Sequence, residues 1–75
     1  MAESERSVFL FSSTSAAIRA EKLAMESGFR VKLIPVPRHL SSDCGVCMRC
    51  DSEDLAAIRL LLESSRVEWD DIRGL

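Results

Sequence analysis

No long hydrophobic run occurs in these 75 residues: apolar stretches such as residues 60–62 end within about four positions, far short of the roughly 20 needed to cross a bilayer. No membrane span is expected. No secretory leader is expected either, because residues 1–6 (MAESER) are acidic and polar where a leader has a basic segment running into an apolar one. The expected location is cytoplasmic. Charge of one sign is also lacking: ten Lys and Arg stand against twelve Asp and Glu, a net charge of -2. Up to Pro37 there are five basic and four acidic residues, and after it five basic and eight acidic. With no basic cluster along the chain to release counterions from a phosphate backbone, nucleic acid is not an expected partner.

Catalytic signatures are equally scarce. There is no Ser-His-Asp triad, phosphate loop, nucleotide fingerprint or paired acid/base motif, and the single histidine, His39, reads as a surface residue. A carrier or binding protein is therefore favoured over a stand-alone enzyme, and no cofactor is expected. What is present is an ordinary globular balance of 47% hydrophobic and 29% charged residues, too apolar for a disordered segment. The length suits one domain over residues 1–75, with a core over about residues 7–72.

Residues 7–11 (SVFLF) read as a buried strand, bounded by charge on one side and by Ser12, Ser13, Thr14 and Ser15 on the other. Residues 16–27 carry Ala17, Ile18, Leu23 and Met25 among charges and good helix formers, opened by a Ser/Thr cap and closed by Gly28. Residues 29–34 alternate Phe29, Val31 and Leu33 with Arg30 and Lys32, the period of a strand with one wet face, and Pro35 and Pro37 stop it. A polar loop over 38–43 leads to a third strand, in which Val46, Met48 and Cys50 alternate with Cys47 and Arg49. Asp51, Ser52, Glu53 and Asp54 supply a cap and acidic first turn for a helix to about Glu63, with a stripe of Leu55, Ile58, Leu61 and Leu62. Residues 67–72 (VEWDDI) add a last strand with Val67 and Trp69 on one face. The order predicts an α+β, ferredoxin-like βαββαβ fold, a four-stranded antiparallel sheet with two helices on one face. The second sheet face is expected to be open, carrying one of the pairs Phe9/Phe11 or Val8/Leu10 and covered by a partner or a homodimer.

All three cysteines fall within residues 44–50, spaced C-x2-C-x2-C. On a loop this spacing suits zinc or an iron-sulfur cluster. On a strand it disperses the thiols, with Cys47 on the face opposite Cys44 and Cys50, and His39 is the only nearby fourth ligand. No metal is expected. Cys47 and Cys50 read as small buried hydrophobes. Cys44 differs, because it stands at a loop-to-strand boundary, follows Ser41, Ser42 and Asp43, and precedes Gly45, which lets a substrate or another backbone approach. If the third strand runs antiparallel beside the first, Cys44 faces the N-terminus of the first helix. Free N–H groups there and the hydroxyls of Ser12, Ser13, Thr14 and Ser15, with Arg38 as a source of positive charge, suit a thiolate, persulfide or selenide.

These residues resemble a bacterial family of selenium/sulfur carrier-like domains. The resemblance covers about residues 8–62. It rests on Phe11, Ser12 and Thr14, on Ala20, Glu21, Lys22 and Leu23, on Gly28, and most tightly on Ile34-Pro35-Val36-Pro37-Arg38 followed by Ser41-Ser42-Asp43-Cys44-Gly45. It implies a small α/β domain in which Cys44 carries sulfur or selenium. The sequence departs from the family pattern at Cys47 and Cys50, where small or apolar residues are usual. The leading expectation is thus a carrier that takes a persulfide or selenide at Cys44 from a donor protein and passes it to an acceptor protein. Gly45, Arg38, Ser12, Thr14, Ser41 and Ser42 would then surround the cargo. Two alternatives remain: a protein-interaction module using the open sheet face, and a small thiol redox protein in which Cys47 or Cys50 resolves an oxidised Cys44.

Overall fold

The structure, a computed structural model, describes residues 5–40 and 45–75. Strand β1 (Arg6–Leu10), helix α1 (Thr14–Glu26), strands β2 (Val31–Pro35) and β3 (Val46–Asp51), helix α2 (Leu55–Ser64) and strand β4 (Asp71–Gly74) follow in that order. The strands form one sheet in the order β2-β3-β1-β4 with every pair antiparallel. This is the ferredoxin-like arrangement the element order predicts.

Strand alternation sorts the core into two layers. Phe9, Phe11, Met48 and Cys50 point to the helix side, where they are buried with Ala17, Ala20 and Ala24 of α1 and Ile58 and Leu62 of α2. The buried stripe of α1 consists of alanines at helical spacing, so the helix lies close to the sheet. Of the larger apolar residues of this helix, Ile18 and Met25 are exposed. Ser13 caps α1 by accepting from the Ala16 N–H at 3.2 Å. Gly28 leaves the helix at φ +91, a left-handed conformation that costs glycine little.

Four expectations are corrected. β2 spans Val31–Pro35, not residues 29–34: Phe29 and Arg30 precede it, and Pro35 ends it as its last residue, opposite Val46; β2 is an edge strand, where a missing N–H forfeits nothing. Asp51 and Asp54 make no side-chain cap; a 3₁₀ turn over Ser52–Asp54 leads into α2 instead. The last strand is Asp71–Gly74, not residues 67–72. Arg66, at φ 60, turns the chain so that Val67 and Trp69 pack on the core, and Asp70 N–H reaches Leu10 O (2.7 Å) before pairing begins. Finally, neither Phe9 nor Leu10 is exposed.

The second face of the sheet is not left open along its whole length. Val8, Leu10 and Cys47 are buried there, with Ile34, Val36 and Leu40 packed over them. The chain after β2 folds across these side chains, fixed by Leu40 N–H donating to Pro37 O (3.0 Å). This intramolecular cover removes the reason for a partner over that apolar half.

Candidate functional site

Leu10 pairs with Cys47 in the β1–β3 register, so the start of β3 lies beside the end of β1, where α1 begins. Gly45 occupies the residue before β3, exposed and at φ +76. Its carbonyl accepts from Val36 N–H at 3.1 Å. Continuing the β1–β3 register two steps beyond Leu10 and Cys47 sets Ser12 across from Gly45. The strand exit at Val36, the Gly45 turn and the serine entry to α1 are thus neighbours at one end of the sheet, as antiparallel pairing predicts.

Ser12 and Thr14 are both exposed at this end, Thr14 as the first residue of α1. Ser12, Ser13 and Ser15 line a shallow depression of about 370 Å3 in which the cations are Arg19 and Arg66. Arg38 does not line it and sits exposed in the 37–40 turn beside exposed His39. Sequence reasoning missed Arg19 and Arg66; Arg19 lies one helical turn after Ser15, and that spacing was the available signal. Cys44, Ser41 and Ser42 lie outside the described residues.

The other two cysteines are committed to the core. Cys47 and Cys50 are both buried, on opposite faces of β3. Burial, together with the nearby carboxylates of Asp54 and Asp51, pushes the Cys50 thiol up to about 11. Near neutral pH it stays protonated and is a poor nucleophile.

A second feature, invisible along the chain, appears in the register. Lys32 lies directly opposite Arg49, and Arg49 lies opposite Val8, whose other neighbour is Arg73. Folding therefore gathers a basic row on the second sheet face that the sequence, read linearly, does not contain.

Residues 6–73 match the family described as "Putative Se/S carrier protein-like". The chain belongs to this family. No curated protein and no solved structure matches it. The family match spans every strand and helix just described except the last residue of β4.

Proposed function

We propose that this member of the Se/S carrier-like family carries a sulfane sulfur or selenium atom on Cys44. The observation that carries the reading is the burial of Cys47 and Cys50 in β3: carriage needs a thiol that donor and acceptor proteins can reach, and of three cysteines two are locked in the core. Cys44 is the third, and it precedes the exposed Gly45 at the sheet end where α1 begins. In the transfer step the Cys44 thiolate attacks the terminal sulfur of a donor persulfide. The donor's S–S bond breaks as the new one forms, and the donor cysteine leaves as a thiolate, so no external oxidant or reductant is consumed. Ser12, Thr14, Ser41 and Ser42 supply hydroxyl donors to the anionic terminal atom, and Gly45 and Arg38 frame its approach. The acceptor takes the atom by the same exchange, acting in the cytoplasm and without a cofactor. Direct transfer is favoured over a resolving role for Cys47 or Cys50, because both thiols are shielded by the core.

Intact-mass measurement after incubation with a persulfide donor tests this. The gain of one sulfur atom is expected in the wild type, Cys47→Ala and Cys50→Ala, and is expected to vanish in Cys44→Ala. Equal labelling of all three thiols overturns the assignment.

A further inference from the structure

The second face of the sheet has two halves. The half near Gly45 is apolar and covered by the chain; the half at the far end of β3, roughly 17 Å away at about 3.3 Å per residue, is basic. Arg30, Lys32 and Arg49 line a groove of about 530 Å3 there, which continues around the end of the sheet to an apolar wall of Met25 on α1 and Phe29 and Val31 of the helix-side layer. The carboxylate in the groove, Asp51, is already held by Arg6 at 3.0 Å. Asp71, on the same face, is engaged by Arg73 at 3.3 Å. Among the described residues Arg30, Lys32 and Arg49 form no ion pair.

Like charges directly opposite one another across a ladder destabilise a sheet. The Lys32 and Arg49 pair is such a juxtaposition, with Arg49 half-buried on a central strand. An uncompensated charge of three in a concave, partly apolar groove focuses a positive potential. The occupant that relieves it is an anion, and its size is bounded: Asp51 lines the groove and the chain as a whole is negative, so an extended polyanion meets repulsion beyond the three cations. The volume falls in the range of small-molecule sites.

We propose that this groove binds a small organic phosphate, with Arg30, Lys32 and Arg49 on the phosphate oxygens and the apolar part against Met25, Phe29 and Val31. The site does not depend on the carrier reading, and sulfur loading of Cys44 is scored separately.

Calorimetric titration of the full chain with adenosine monophosphate, inorganic pyrophosphate and adenosine, with amide shifts followed by NMR, tests the proposal. The two phosphates are expected to bind and adenosine is not, with shifts centred on residues 30–32 and 49–51. The double substitution K32Q/R49Q is expected to weaken phosphate binding by at least about tenfold, the loss of one or more charge-assisted hydrogen bonds. R30Q, before β2, is expected to weaken it in the same direction, and R38Q to leave it unchanged. Absence of binding at millimolar phosphate, shifts centred elsewhere, or wild-type affinity in both K32Q/R49Q and R30Q overturns the proposal. So does occupation of the groove by an acidic peptide or a single-stranded oligonucleotide when neither phosphate binds.

Discussion

Leu10 and Cys47 face each other across β1 and β3, and both are buried on the side of the sheet away from the helices. A second, smaller core therefore exists where an open face was expected, closed by Val36 and Leu40. A charge placed at Leu10 has no water to face. Leu10→Asp is expected to unfold the domain, since an isolated buried carboxylate costs several kcal/mol. Circular dichroism checks this; a folded variant that merely loses an association would restore the open-face picture.

The thiols should separate kinetically. With Cys47 and Cys50 buried, a neutral aromatic disulfide reagent is expected to titrate one thiol rapidly in the native protein and all three in denaturant. Cys44→Ala is expected to remove the fast phase alone. Three equal rates in the native state would contradict the burial of β3.

The sheet order, both helices and the split of Cys47 from Cys50 were legible in the sequence, because period-two alternation and helical spacing report which face a side chain takes. Trp69 shows where such reading stops. Residues 67–72 alternate as a strand does, yet Val67 and Trp69 serve as packing, and the edge-on contact of Trp69 with Phe9 (5.6 Å between centroids, 87° between planes) uses the alternation for the core. The basic groove was illegible for a different reason. Lys32 and Arg49 are distant along the chain and meet only through the β2–β3 register, which no local pattern encodes. At the candidate site Gly45 could be read from residue type alone and Arg19 from its helical spacing to Ser15, whereas Arg66 required the turn at that residue to be known.

That aromatic contact has a measurable value. Trp69 is half-buried, so Trp69→Ala is expected to cost about 2 kcal/mol, less than the loss of a fully buried aromatic. Chemical denaturation measures it, and a change below about 0.5 kcal/mol would show that the contact does not hold the approach to β4 in place.

Cys50 links stability to alkaline pH. Its thiol is raised from 9.0 to about 11 by burial and then by Asp54 and Asp51. Between those values the unfolded chain releases the proton while the folded chain keeps it. The stabilisation is fully present below about pH 9 and is lost as pH rises toward 11, amounting to about 2 to 3 kcal/mol. Denaturation midpoints measured across this window should fall in the wild type and fall less in Cys50→Ala. Parallel slopes would assign the pH dependence to other groups.

Gly45 offers a test that separates backbone geometry from side-chain chemistry. Its φ of +76 is strained for any residue with a Cβ, but a Cβ built there meets nothing within 4 Å. The cost of Gly45→Ala is therefore conformational, about 1 to 2 kcal/mol, and Gly45→Asn should cost less because asparagine visits the left-handed region more readily. The Gly45 carbonyl also holds Val36 N–H, so a flipped backbone would loosen the strand exit as well. If the turn presents Cys44 to its partners, sulfur loading should decline in Gly45→Ala and recover partly in Gly45→Asn, in step with stability at this position. Loading that stays at the wild-type level in a destabilised Gly45→Ala would show that the turn supports the fold and takes no part in presenting the thiol.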